Sequence, residues 1–171
     1  MEKLFTIGYE GSDVDSLVQT LKNVGITALA DVRELPLSRK KGLSKNGLAK
    51  KLADAGIQYC HFKALGDPKP GREAARRGDY KEFRKIFEAH FETESSQLAF
   101  NDLLRLATTK VTCMLCFERC AKHCHRSIIA DAAIENDFEI YNLVADRPEE
   151  YLKVGIQIPR YYPSESIPAA E

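Results

Sequence analysis

The stretch KVTCMLCFERCAKHCHRS, residues 110–127, determines the fold class and holds the densest group of reactive side chains in the chain. Its first part, Lys110–Cys116, is a nearly continuous apolar run that predicts a strand buried on both faces. Residues Arg126–Glu135 carry apolar side chains at helical spacing and predict a helix. Such a strand-to-helix turn brings reactive groups and free backbone N–H groups into one small volume.

The same alternation of strands and helices extends outward along the chain. Further strands are predicted at Lys3–Ile7, Ile26–Val32, Ile57–Phe62 and Phe138–Val144, and helices at Val14–Val24, Leu48–Ala55, Tyr80–Phe91 and Leu98–Ala107. The aromatic stripe of Tyr80–Phe91 is typical of core, whereas Lys63–Arg77, rich in Gly, Pro and charge, predicts a loop. The pattern predicts a single α/β domain with a mostly parallel sheet of about five strands and helices on both faces.

Bulk composition limits the class of protein. The chain has 171 residues, of which 44% are hydrophobic, so one domain with a buried core is expected at residues 1–147. A Pro-containing tail, residues 148–171, is expected to pack on this domain or to extend from it. The 25 basic and 25 acidic residues cancel, which does not indicate a strongly basic nucleic-acid-binding protein. No signal-peptide or transmembrane pattern is evident, which predicts a cytoplasmic protein that does not bind a membrane. Five cysteines, an odd number, then favour free thiols over disulfides.

Ionisable residues follow the predicted strands where each strand ends. The carboxyl ends of parallel strands meet at one edge of the sheet, where ligands bind. We therefore predict a site at this edge, with a pocket lined by Tyr9, Glu10, Asp31 and His61.

Three arginines are candidates for binding an anionic substrate. Arg33 and Arg39 flank a proline turn, and two guanidinium groups can hold a phosphate or a carboxylate. Arg126 begins a helix, whose N–H groups favour an anion. For each arginine a structural ion pair is the alternative, and Asp31, at the end of an apolar strand, is expected to need such a partner or a loop backbone.

Three residues of the central stretch are candidates for catalysis. Glu118 is predicted to be a general acid or base whose pKa is raised by partial burial. Cys116 ends a buried strand and is a candidate nucleophile, activated by the helix N-terminus and a nearby arginine; the alternative is a small buried apolar residue. His125 is a candidate proton shuttle, or a residue that orients Glu118.

Other cysteine patterns in this stretch support different chemistry less well. Cys120 to Arg126 has the spacing of an anion-binding C-x5-R loop but lacks its glycines. No cofactor is predicted by the main interpretation; the alternative is zinc or an iron–sulfur cluster at Cys116, Cys120 and Cys124, for which no second ligand pair is evident. Cys113 and Cys116 lie three apart on a strand and point to opposite faces, which disfavours a redox pair.

Several motifs together resemble the DUF488 family, in order and over roughly residues 3–144. They are Thr6–Glu10, Asp31-Val32-Arg33 with Pro36, Ser38 and Arg39, Gly56-Ile57-x-Tyr59-x-His61 with Leu65-Gly66, and Cys116-x-Glu118 with Cys124-His125-Arg126. The resemblance implies a compact α/β domain and favours Cys124 over Cys120 as part of the site. It implies no reaction, because the family is uncharacterised in function. Many members have His-Ser where this chain has Tyr9-Glu10, so a role of that His is missing here or is taken over by Glu10.

These residues predict an enzyme, a hydrolase or transferase, that acts on a phosphate-bearing or other anionic substrate related to nucleotides or nucleic acids. Two alternatives remain. One is a non-catalytic nucleotide-binding or nucleic-acid-binding module, for which a basic stripe offers support: Arg39, Lys40, Lys41, Lys45, Lys50 and Lys51. The other is a protein that binds a metal through cysteine and histidine.

Overall fold

The computed structural model describes residues 1–160 of the chain. Its strands are β1 Glu2–Gly8, β2 Ala28–Asp31, β3 Gln58–His61, β4 Thr112–Cys116 and β5 Phe138–Val144. They form one five-stranded sheet in the order β3-β2-β4-β1-β5, and every neighbouring pair is parallel. The predicted α/β fold is therefore confirmed.

In the described part of the chain, six α-helices cover the two faces of the sheet. They are α1 Val14–Val24, α2 Lys45–Asp54, α3 Lys69–Arg76, α4 Tyr80–Phe91, α5 Glu94–Thr109 and α6 His125–Ile134. Helices α1 and α2 contribute to one apolar core, and α3 to α6 contribute to a second core on the opposite face. Short 3-10 helices span Lys63–Leu65, Ala121–His123 and Pro148–Leu152.

Strand β4 contributes side chains to both cores. Cys113 and Leu115 belong to the core with α1 and α2, whereas Met114 between them belongs to the core with α3 to α6. Side chains of a strand alternate between faces, so a strand in the middle of a doubly covered sheet must be apolar throughout. All five residues of β4 are buried, as the apolar run predicts.

The segment predicted as a loop, Lys63–Arg77, is largely helical, and this prediction was wrong. Pro70 occupies the first turn of α3, where a backbone N–H has no partner within the helix, so a proline there does not interrupt the helix. The run Glu73-Ala-Ala-Arg76 then consists of good helix formers. Tyr80, predicted to be core, is 46% exposed, whereas Phe83, Phe87 and Phe91 of the same stripe are buried.

The described part of the C-terminal tail packs on the domain. The backbone N–H of Val144 donates to the Tyr151 hydroxyl at 2.7 Å, and Asn142 N–H donates to the carbonyl of Pro159 at 3.1 Å. Residues 161–171, with Pro163 and Pro168, lie outside the described residues. Among residues 1–160, no helix has the length and apolar character required to cross a membrane.

Candidate functional site

An open cleft of about 830 Å³ lies at the carboxyl ends of β1, β2 and β4. Residues that follow these three strands line it, including Tyr9, Glu10, Arg33 and Glu118. The other wall comes from α3 and the start of α4, which contribute Arg72, Arg76 and Tyr80. The cleft is thus at the edge where the strand-end residues predict a site.

Arg33 is held in a buried ion pair with Asp31. Its Nε and Nη2 donate to the two carboxylate oxygens at 2.9 and 2.8 Å, and its Nη1 donates to the carbonyl of Leu43 at 2.8 Å. The Tyr59 hydroxyl donates to Asp31 Oδ2 at 2.5 Å. Asp31 therefore has the arginine partner that its position predicts, and most donors of Arg33 are engaged within the protein although Arg33 lines the cleft.

His61, Tyr9 and Glu10 support the site in different ways. His61 Nε2–H donates to the carbonyl of Arg33 at 2.8 Å, but His61, like Asp31, is not among the residues that line the cleft. Tyr9 and Glu10 line it, and Glu10 Oε1 accepts the backbone N–H of Arg119 at 3.1 Å. Glu10 thus fixes the start of the turn that follows β4.

Arg126 does not reach the cleft, which corrects the anion-binding role expected for it. Its side chain is fully buried, and Nη1 and Nη2 donate to the carbonyls of Glu118 and Arg119 at 2.5 and 3.1 Å. Nε donates to Thr6 Oγ1 at 3.2 Å. The position of Arg126 at a helix start does not predict these contacts, because two of its three partners are backbone carbonyls of a turn. Arg126 fixes the turn that presents Glu118.

Gly8 allows this turn to approach β1. A Cβ atom at Gly8 would lie 1.7 Å from the carbonyl oxygen of Glu118, so only glycine fits there. The turn, Arg126 beneath it and the end of β1 consequently form one rigid unit.

Cys116, Glu118, Cys124 and His125 form the floor of the site. Cys116 Sγ lies 3.1 Å from Glu118 Oε2 and 3.6 Å from His125 Nδ1. Cys124 Sγ lies 3.7 Å from the same nitrogen. All but Glu118, which is half-buried, are at most 5% exposed.

Burial governs the protonation of this floor. Loss of water raises the pKa of Glu118 to about 7, and negative charge on Cys124 adds to that effect. Burial alone would raise the pKa of Cys124, but a hydrogen bond from Cys116 and the cations Arg126 and His125 hold it well below its usual value. Burial would lower the pKa of His125, but Cys124 outweighs it and raises the pKa to about 9. A carboxyl group with a pKa near 7 can both give and take a proton at neutral pH.

Several residues of the cleft were missed by the sequence interpretation. Asp67 is 7% exposed, its Oδ1 has no hydrogen-bond partner among residues 1–160, and burial raises its pKa to about 6. Arg72 pairs with Glu34 and donates to the carbonyl of Asp67 at 2.6 Å. Asp67 and Arg72 lie within the segment predicted as a loop, Lys63–Arg77, and the signal that locates them is the helix start at Pro68–Pro70.

The rim of the cleft carries exposed cations. Arg39, predicted for this site, and Arg76 both line the cleft and are exposed. Within residues 1–160 no carboxylate forms an ion pair with either guanidinium. Two lysines of the remaining basic stripe make contacts within the protein. Lys51 pairs with Asp15 at 2.7 Å, and Lys40 donates to the Ser12 carbonyl at 2.9 Å.

The cysteine alternatives separate in the structure. Cys116, Cys124 and His125 offer three possible metal-ligand atoms within 4.8 Å of one another, and Cys120, expected with them, is not in that group. A 3-10 helix, Ala121–His123, carries the chain from Cys120 to Cys124. All five cysteines are free thiols.

A doubly covered parallel sheet with a cleft at the carboxyl ends of its strands defines an α/β domain. The family model described as a domain of unknown function, DUF488, matches residues 13–133 of the chain. The protein therefore belongs to the DUF488 family. The matched span includes Arg33, Arg39, Asp67, Glu118 and His125, whereas Tyr9 and Glu10 precede it. No curated protein and no solved structure matches the chain significantly.

Proposed function

We propose that this protein is an enzyme, most simply a hydrolase, that acts on a phosphate-bearing substrate in the cleft. One observation carries the proposal: the exposed guanidinium groups of Arg39 and Arg76 and the half-buried carboxyl group of Glu118 line the same cleft. Cations at the rim can bind a negatively charged group of a substrate, and an acid at the floor can transfer a proton when a bond of that substrate breaks.

The rim supports a nucleotide as the substrate class. The rings of Tyr80 and His123 stack with centroids 4.8 Å apart and both line the cleft. Tyr80 is 46% exposed, so its ring offers an apolar planar surface beside Arg76. Nucleobases stack on such aromatic surfaces while cations hold their phosphate groups.

Glu118 is the candidate acid and base for the chemical step. In its protonated form it gives a proton to the leaving oxygen or nitrogen as the bond to the phosphorus or sugar carbon breaks. The resulting carboxylate then takes a proton from the attacking water, which restores the acid and completes a hydrolysis. Cys116, 3.1 Å from Glu118 Oε2, is the second polar group of the floor, and both carboxylate-dependent phosphoryl and glycosyl chemistry fit this arrangement.

A panel of phosphomonoesters, nucleotides and nucleosides tests the proposal. We expect wild-type protein to turn over at least one nucleotide, Glu118→Gln to lose about 100-fold or more of kcat, and Arg76→Gln to raise KM. Arg77→Gln is the matched control, because Arg77 is the exposed neighbour of Arg76 and does not line the cleft. If Glu118→Gln keeps full activity on every substrate, the proposed catalytic role is wrong.

The same experiment separates catalysis from binding alone. A protein that binds nucleotides through Arg39 and Arg76 but turns over none of them, with Glu118→Gln binding as tightly as wild type, is a binding module. That result would replace the enzyme proposal with the non-catalytic alternative.

A further inference from the structure

We propose that Cys116, Cys124 and His125 bind a zinc-type divalent ion at the floor of the cleft. The two sulfur atoms lie 3.6 and 3.7 Å from His125 Nδ1, and all three atoms lie within 4.8 Å of one another. This set differs from the one that the sequence suggests, because His125 takes the place of Cys120.

The two sulfur–nitrogen distances match those in a tetrahedral zinc site. With zinc–sulfur and zinc–nitrogen bonds of about 2.3 and 2.05 Å at tetrahedral angles, a cysteine sulfur and a histidine nitrogen stand about 3.6 Å apart. Two thiolates and an imidazole are also the donor set that zinc and similar borderline-soft ions prefer. An ion can therefore enter between these atoms with little movement of the chain.

The orientation of His125 is a second, independent observation. Its Nε2 lies 2.7 Å from the carbonyl oxygen of Val32, so the hydrogen of the neutral ring is on Nε2. Nδ1 faces the two sulfur atoms, and its lone pair binds a metal ion once its proton is released. A backbone carbonyl that fixes the far nitrogen of a histidine is the usual outer support of a metal ligand.

The ligands come from the ends of rigid elements, and one side of the site is open. Cys116 is the last residue of β4, while Cys124 and His125 lie at the start of α6. Cys116 and His125 also line the cleft. Three protein ligands with an open fourth position are typical of a catalytic zinc site, whereas structural sites have four protein ligands.

This part of the inference rests on the proposed function, in which the ion takes part in binding the substrate. Its open position faces the cleft in which Glu118 lies, where a bound water or a substrate oxygen completes the coordination. Cys116 then acts as a ligand and not as a nucleophile. When the ion binds, the three ligand atoms release the protons that they still carry, and each of them gains a bond to the ion.

Metal analysis of tag-free protein, purified without chelator and then incubated with zinc and desalted, tests the site. We expect about one zinc per chain in wild-type protein and a loss in Cys124→Ser. Cys120→Ser is the matched control: it lies between the ligands in sequence but outside the cluster, and it should keep the zinc. Cobalt reconstitution should give the visible absorption of thiolate-bound Co²⁺ in wild type and Cys120→Ser.

A measurement on unmutated protein guards against misfolding of the Cys124 variant. Iodoacetamide should label Cys116 slowly in the zinc-loaded protein and at least ten-fold faster after a chelator removes the ion. Wild-type protein that holds well below one equivalent of zinc after reconstitution, with labelling unchanged by chelator, overturns the inference. Nucleotide turnover is also measured before and after chelation. If the metal site does not exist but the proposed function is right, the enzyme keeps its activity in chelator, so the two proposals fail separately.

Discussion

His125 Nε2 lies 2.7 Å from the carbonyl oxygen of Val32, which joins the first residue of α6 to the chain immediately after β2. The bond crosses the floor of the cleft and holds the imidazole against Cys116 and Cys124. Because Arg33, the next residue after Val32, is fixed by Asp31, the two halves of the site are tied to the same sheet edge.

Arg33→Leu should destabilise the fold strongly. The substitution leaves the carboxylate of Asp31 buried without its bidentate partner, and breaking a buried pair on one side costs about 3–5 kcal/mol. Chemical denaturation measures the effect. The double variant Asp31→Asn/Arg33→Leu removes the unpaired charge and should recover part of the loss. A loss below about 1 kcal/mol in the single variant would mean that the pair is not formed.

Gly8→Ala should disturb both stability and the position of Glu118. The added methyl group meets the backbone carbonyl of Glu118, which cannot rotate away, so the turn must move at a cost of about 1–3 kcal/mol. Gly47→Ala is the matched control, because its nearest contact is an ordinary 3.5 Å and alanine favours the helix there. Thermal unfolding and Glu118-dependent activity provide the measurements. Equal behaviour of the two variants would contradict the close packing of the turn on β1.

Arg39→Gln should weaken nucleotide binding without changing stability. The side chain is exposed at the rim, so its loss removes one charge-assisted contact and lowers affinity by about 5- to 10-fold at low salt. Calorimetric titration with a nucleoside monophosphate measures this. Lys41→Gln, an exposed neighbour outside the cleft, should bind like wild type. Identical affinity of wild type and Arg39→Gln would remove Arg39 from the binding surface.

Asp67 should make the protein more stable in mild acid. Burial raises its native pKa from the usual 3.8 to about 6, so the native state binds more protons than the unfolded state between these pH values. The free energy of unfolding therefore increases as the pH falls from about 7 to 4, and Asp67 contributes at most about 3 kcal/mol to this increase. Asp67→Asn should lack that gain. Denaturation curves of both proteins at pH 7 and 5 give the difference; parallel pH dependence would show that Asp67 titrates normally.

The sequence predicts most of the sheet because its signals are local. The apolar run of β4 and the alternation of strands and helices follow from side-chain periodicity, and both are confirmed. The partner of Arg126 was not predictable, because backbone carbonyls of a turn carry no sequence signal. Tyr80 shares the spacing of a buried stripe, but it is the first residue of α4 and lines the open cleft, which the periodicity does not reveal. Asp67 was not predicted as a site residue, because the prolines that follow it indicate a loop, although the first turn of a helix accepts proline.

The most direct measurement for the central claim is a crystal structure grown with a nucleoside monophosphate at low salt. We expect the phosphate within hydrogen-bonding distance of Arg39 or Arg76, the base against Tyr80, and the bond to be cleaved facing Glu118. Ligand density elsewhere on the molecule, with the cleft empty at saturating nucleotide, would contradict this binding mode.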